Sequence, residues 1–291
     1  MSWIFLGLLS AVLVATGTLL EKKALTTTHA MAFSAGLALV NAVLTLPLFL
    51  FIDWNAVSFP MLAVLFGISL FGAIAYLFVA KGMRHLPVSE VSPLLAFGPV
   101  FTTPFAALTL NERLDVLQTV GIGFVVAGAY LLETRAHASP LEPFRVFARS
   151  RAVHLVLGAI IIYGVLSVFD RFALAYYGIP PLAYLAFVHL FLAFHFLWMM
   201  AVFHGGFREA VGAVRTFGVR PMLLIALVTI GHRVAETFAM RAAYAGLVTA
   251  LKRTAVLFST VIGGEMFHED HLVRKTVAAV IMVAGTVLMV I

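Results

Sequence analysis

The chain has 291 residues, 63% of them hydrophobic and 11% charged, with a mean hydropathy of +1.07. These proportions leave too little polar surface for a water-soluble globule and point to a polytopic membrane protein. The net charge of +6 would suggest nucleic acid for a soluble chain, but basic loops have an orienting role in a membrane protein, and the absence of cysteine removes disulfides, thiolate metal sites and thiol nucleophiles.

Apolar windows of about 20 residues, enough to cross ~30 Å of hydrocarbon, predict ten transmembrane helices and an all-α fold. The first segment, Ser2 to Leu20, lacks a basic n-region and a small-residue cleavage pattern before Glu21-Lys22-Lys23, so it is read as a retained helix rather than a signal peptide. Four more follow near Ala30 to Ile52, Ser58 to Ala80, Pro87 to Leu110 and Val116 to Glu133. The second five run near Ala152 to Ala175, Pro180 to Phe203, Pro221 to Arg241, Gly246 to Phe267 and Leu272 to Ile291. The runs are too long for barrel strands, and Pro93, Pro99 and Pro104 are candidate kinks.

Loops on the side of both termini carry three basic residues, Arg113, Arg171 and Arg241, against thirteen on the other side. The positive-inside rule makes the richer side cytoplasmic and both termini extracytoplasmic. The long connections, Thr134 to Arg151 and His204 to Arg220, then lie on the cytoplasmic surface as interfacial linkers.

Two segments repeat. Glu21-Lys22-Lys23-Ala24-Leu25 recurs as Asp170-Arg171-Phe172-Ala173-Leu174, shifted by 149, and Phe101, Glu112, Thr119, Gly128 and Leu131 match Phe258, Glu269, Thr276, Gly285 and Leu288, shifted by 157. The implied organisation is a five-helix unit over residues 1–133, a cytoplasmic linker over 134–151 and a second five-helix unit over 152–291. With an odd number of helices per unit the second copy enters the membrane from the opposite side. That is an inverted repeat, an architecture of secondary transporters with the substrate site near the midplane.

The run Pro99-Val100-Phe101, Leu110-Asn111-Glu112-Arg113-Leu114 and Val126-Ala127-Gly128, echoed by Met266-Phe267-His268-Glu269 and Val283-Ala284-Gly285, resembles the EamA-like branch of the drug/metabolite transporter superfamily. The resemblance spans essentially the whole chain. It implies ten helices in two halves and transport of amino acids, drugs, nucleotide sugars or sugar phosphates, without selecting among them. Many bacterial members keep their termini in the cytoplasm, whereas the charge count here reads the reverse.

Charges at membrane depth are costly and usually functional. His232, Arg233 and Glu236 in the eighth segment and Lys252 and Arg253 in the ninth fall at similar depth, in the half of the membrane facing away from the cytoplasm. His232 and Glu236 are an i,i+4 pair and Arg233 and Glu236 an i,i+3 pair, so one face of the eighth helix is polar. Three cations against Glu236 predict a cavity of charge +2 that an anion neutralises, with Arg as a fork and Lys as a point charge. Lys252-Arg253 also resembles the phosphate-holding Lys-Arg pair on the ninth helix of sugar-phosphate translocators, which implies that role for both. Two structural alternatives stand beside this one: Arg233 and Glu236 neutralising each other, and Lys252 and Arg253 snorkelling to lipid headgroups. Consecutive residues point about 100° apart on a helix, so Lys252 and Arg253 cannot both occupy the centre of one face.

Other candidates are less specific. Glu90 is either a coupling carboxylate or a first-turn helix-dipole partner. Glu21 with Lys22 and Asp170 with Arg171 are either gates or interfacial ion pairs. His189 and His195 do not share a face, which argues against a metal between them, and His268-Glu269-Asp270-His271 reads as a helix cap. Tyr163, Tyr184, Trp198, Tyr76 and Asn41 are cavity-lining or packing residues.

The sequence therefore predicts a secondary active transporter of a small anionic or zwitterionic metabolite, phosphorylated or carboxylated. Arg233, Lys252, Arg253, Glu236, His232 and Tyr163 would bind substrate, and Glu90, Asp170 and Arg171 would couple or gate. The alternatives are a lipid flippase of the same fold, an exporter of amino acids or drugs, a membrane enzyme and a non-transporting scaffold. No catalytic constellation, metal or cofactor is expected. Expected partners are the small-molecule substrate, membrane lipids and a coupling proton rather than nucleic acid, in a monomer or homodimer of a bacterial or archaeal plasma membrane.

Overall fold

Long runs of Leu, Val, Ala and Phe in a solvent without water leave each backbone amide only its own helix as a hydrogen-bonding partner, so the apolar windows form helices. The computed structural model describes residues 3–86, 88, 91, 94–95, 97–112, 115–133, 150–203, 206–266 and 272–290. Among these residues there are twelve α-helices and no strand. Glu90, Arg113, His268, Glu269 and nearly all of the 134–151 segment lie outside the described residues.

The first half comprises α1 (Trp3–Leu25), α2 (Ala30–Thr45, extended by a 3-10 turn over Leu46–Phe51), α3 (Phe59–His85), α4 (Gly98–Leu110) and α5 (Val116–Glu133). The second half comprises α6 (Arg151–Arg171, extended by a π turn over Phe172–Tyr176), α7 (Pro181–Phe203), α8 (Phe207–Phe217), α9 (Val219–Ala242), α10 (Ala245–Lys252), α11 (Ala255–Met266) and α12 (Leu272–Val290). Among the described residues six helices are long and apolar enough to cross a membrane: α1, α2 with its extension, α3, α6 with its extension, α7 and α9.

Local chemistry sets the boundaries. Ser58 and Ser150 cap α3 and α6 by accepting from Met61 N and Val153 N, each at 3.4 Å. Asp115 and Gln118 form a reciprocal capping box before α5, at 2.8 and 3.1 Å. Asn111 ends α4 in the left-handed region at φ 54°, the C-cap role that Asn tolerates best after Gly.

Two predicted elements differ. The ninth window, expected as one helix, breaks at Arg253-Thr254 into α10 and α11. Thr254 Oγ1 donates to Leu251 O at 2.8 Å, and Arg253 N is shared between Ala250 O and Thr249 O, so the chain tightens into a 3-10 turn and leaves the α ladder. The fourth window turns at Phe97, whose N–H bonds Leu94 O at 3.1 Å, and α4 starts only at Gly98-Pro99, where proline's missing N–H is no loss. Ala255 opens α11 157 residues after Gly98 opens α4, the shift of the sequence repeat. The connection expected from His204 to Arg220 also contains the short amphipathic α8, which buries Ala210 and Ala213.

Close packing joins the halves. Leu13 lies on Gly231 and Val228 on Gly17, so α1 runs antiparallel to α9. Val156 lies on Gly82 and Phe78 on Gly158, so α3 runs antiparallel to α6. Between α5 and α12, Gly128 faces Met282 and Gly285 faces the Gly121 carbonyl. The α1–α9 and α3–α6 pairs border an interior cavity.

Candidate functional site

The cavity is about 240 Å³ and is lined from both halves, by α1, α2 and α3 on one side and α6, α7, α9 and the α10–α11 break on the other. His232, Arg233, Glu236, Lys252, Arg253, Tyr163 and Asp170 all line it. The structure therefore brings together seven of the nine residues expected to bind, couple or gate. Arg171 faces elsewhere, and Glu90 lies outside the described residues.

Glu236 is the hub. It is 4% exposed, accepts from Arg233 Nη1 at 3.1 Å through Oε2, pairs with Lys252 Nζ through Oε1, and has His232 Nδ1 at 3.9 Å. From Arg233 the network continues to Tyr184, whose hydroxyl lies 3.4 Å from Nη2 and donates to Asp170 Oδ1 at 2.5 Å. Two of the three cations thus have a carboxylate partner, as the structural alternative for Arg233 expected. Lys252 and Arg253 turn inward, with Arg253 only 9% exposed, so neither snorkels to the membrane surface. The break explains how consecutive residues share one cavity: Lys252 ends α10 and Arg253 sits in the turn beyond it.

Arg253 differs from the other two. Its Nε is buried and has no hydrogen-bond partner among the described residues, and its guanidinium lies against Gly98, where a Cβ would come within 2.6 Å of Nη2. The two helix breaks therefore meet at this side chain. Tyr163 stands within electrostatic reach of Arg253, Arg233, Glu236 and Glu21.

Three expectations need correction. The cavity's formal charge is not +2: Glu21 and Asp170 also line it, and three carboxylates balance three cations. Asp170 does not pair with Arg171, because consecutive helical residues diverge. Arg171 instead donates from Nε to Glu112 Oε1 at 2.9 Å and from Nη1 to the carbonyls of Met240 and Arg241 at 2.8 and 2.9 Å. Nor does Lys22 pair with Glu21; it donates to the carbonyls of Met83 and Leu86 at 2.6 and 2.8 Å. Met83 and Met240 are 157 apart, so Lys22 closes the end of α3 as Arg171 closes the end of α9.

Glu112 belongs to the family-like pattern in the sequence but carries no signal there as a site residue. It is 3% exposed and also accepts from Ala245 N at 2.9 Å, joining α4, α6 and α10. Among the aromatic and amide candidates, Tyr163, Tyr76 and Asn41 line the cavity, Tyr184 bridges Arg233 to Asp170, and Trp198 is exposed on the outer surface of α7. His189 Nδ1 and His195 Nε2 lie 2.8 and 3.2 Å from the carbonyls of Leu185 and Phe66.

A buried carboxylate-and-arginine network facing an interior cavity, inside a bundle of membrane-length helices, suits selective passage of a polar solute. The sequence comparison decides the class: residues 1–134 match the profile of the EamA-like transporter family. This part of the chain is an EamA-like transporter unit. With six candidate spans among the described residues and this match over its first 134 residues, the protein is an integral, multi-pass membrane protein. No curated protein matches the chain. Among 28 matching solved chains, one described only as the crystal structure of a protein shares 18% identity and a TM-score of 0.67, covering 99% of this chain and 96% of its own. At that identity the likeness shows the fold alone.

Proposed function

We propose that this EamA-like protein is a secondary transporter giving alternating access to the central cavity for a small carboxylated or phosphorylated metabolite, whose anionic group binds Arg253. The observation that carries this reading is the buried Arg253 guanidinium on the cavity lining where the two broken helices meet, its Nε without a hydrogen-bond partner among the described residues. A buried donor without a partner costs free energy that a ligand oxyanion recovers. Lys252 and Arg233, held by Glu236, add positive potential beside it.

The reading includes ten membrane passes in two inverted five-helix units, residues 1–133 and 152–291, joined by a cytoplasmic linker. Support comes from the paired packings of α1 on α9 and α3 on α6, from helix starts 157 residues apart, and from the Lys22 and Arg171 contacts. Broken helices at a repeat interface are a recurring device for substrate sites in such transporters. Termini outside the cytoplasm in a plasma membrane and a coupling proton belong to the same proposal.

Purified protein is expected to be stabilised thermally by an anion from a panel of carboxylates, amino acids and sugar phosphates. Arg253→Ala should then weaken that ligand about 10- to 100-fold, the size of a charge-assisted hydrogen bond. An unchanged affinity in Arg253→Ala would remove the anion site.

Arg171 with Glu112 is the proposed gate at the end where α1 begins, since the pair ties α4 of the first unit to α6, α9 and α10 of the second. The chain has no cysteine, so Ser167→Cys in the cavity wall is a clean reporter for a membrane-impermeant maleimide. Adding Arg171→Ala should raise labelling from that side about tenfold, because opening no longer breaks a charge-assisted bond. Equal labelling with and without Arg171 would rule out the gate, and the vesicle orientation that labels reports which side faces the cytoplasm.

A further inference from the structure

We infer that the cavity has a second pole, built from Glu21, Ser34 and Tyr76, that takes the cationic end of an elongated, dipolar substrate whose anionic end lies at Arg253. The inference rests on the reading of Arg253 given above and adds a charge and a length to the substrate.

Glu21 is 9% exposed and lines the cavity. Among the described residues no Lys, Arg or His nitrogen lies within ion-pair distance of it, and the adjacent Lys22 is turned to the Met83 and Leu86 carbonyls. Tyr76 stands beside Glu21. A four-residue turn joins α1 to α2, so Ser34, four residues into α2, returns to the level of Glu21, with Asn41 about two turns further along. Ser34, Tyr76 and Asn41 line the same cavity, and among the described residues the buried Ser34 Oγ and Asn41 Oδ1 have no hydrogen-bond partner. A carboxylate and an amide oxygen only accept, and the two hydroxyls accept as well as donate, so this end suits the three donors of an ammonium group. A buried carboxylate without a cation is costly, and that cost is relieved when a cationic group arrives.

The poles are well separated. Leu251 packs on Gly7 and Ala255 clusters with Ala11 and Ala15, which sets Arg253 level with about the tenth residue of the chain. Glu21 is some eleven residues further along α1, roughly 16 Å between backbones before the two side chains reach toward each other. An α-amino acid, with both charges on one carbon, engages one pole at a time. An ω-amino carboxylate spans both, and its zero net charge matches the balanced cavity.

The test uses the full-length protein in detergent and compares glycine, 4-aminobutyrate and 6-aminohexanoate with acetate, butyrate and hexanoate by calorimetry. The longer ω-amino acids are expected to bind at least about tenfold more tightly than the matched carboxylates, an advantage that Glu21→Gln abolishes while leaving hexanoate unchanged. If Glu21→Gln does not fold, Tyr76→Phe should reduce the same advantage about three- to tenfold. An amino group that adds nothing, an advantage that survives Glu21→Gln, or no binding across the ω-amino series would each overturn the second pole. Arg253→Ala separates the two readings: carboxylates that lose affinity there, with no benefit from an amino group, leave the anion site standing, whereas indifference to Arg253→Ala removes both.

Discussion

Glu236→Ala is expected to lower stability by about 3–5 kcal/mol, the loss that follows when a buried ion pair is broken from one side. The carboxylate holds Arg233 and Lys252 at once, and its removal strands two interior cations on neighbouring helices. Thermal unfolding in detergent should show a markedly lower midpoint and poor yield. Glu236→Gln keeps an acceptor for Arg233 but not the charge, so its midpoint should fall between the two. The double variant Glu236→Ala, Lys252→Met should recover part of the loss, because replacing both members of a buried pair by apolar groups is often close to neutral. A single variant as stable as the parent would show that the two cations reach water through the cavity and do not depend on Glu236.

The second large effect belongs to packing far from the charges. A Cβ on Gly285 would lie 2.5 Å from the Gly121 carbonyl oxygen and 2.9 Å from Val125 N, so the obstruction is backbone and cannot rotate away. Gly285→Val should therefore separate α12 from α5 and cost about 3 kcal/mol, at the upper end of overpacking penalties. Gly128, its counterpart in the repeat, meets Met282 Cγ at 2.5 Å and the Ala278 carbonyl at 2.7 Å. Small residues let membrane helices approach closely where no hydrophobic drive exists between them. By contrast, Gly67→Ala, where nothing lies within 4 Å, should leave the midpoint unchanged. Circular dichroism melts of the two variants check both expectations.

Much of the cavity's charged lining was legible because charge inside a twenty-residue apolar window has few innocent explanations. His232, Arg233, Glu236, Lys252 and Arg253 were visible on that ground alone. Glu21 and Asp170 were harder to place, since each falls near the end of its window, where an interfacial ion pair is the ordinary expectation. The signal that both belong to the interior was their shared position at the head of the repeated pentapeptide. Their neighbours Lys22 and Arg171 misled for a geometric reason: residues adjacent in sequence diverge by about 100° on a helix, so the cavity receives the acid while the base reaches helix-end carbonyls. The break at Arg253-Thr254 had no proline or glycine to announce it, because a threonine hydroxyl bonding back to Leu251 makes it. Asn41 and Tyr76 read in the sequence as packing or lining candidates, and only the fold shows that both line the cavity, Tyr76 beside Glu21.

The matching positions of Lys22 and Arg171 have a thermodynamic consequence. Each closes one end of the bundle with the same kind of bond to the same kind of helix terminus, but one uses a flexible ammonium and the other a planar guanidinium anchored by Glu112. Under the proposed alternating access, the resting population of inward-open and outward-open states would be set by the difference between two nearly equal closures rather than by the strength of either. A difference of about 1.4 kcal/mol shifts that population tenfold. In that proposal Lys22→Arg and Arg171→Lys exchanges would act as opposite weights on one balance, changing the direction in which the empty protein rests without touching the cavity.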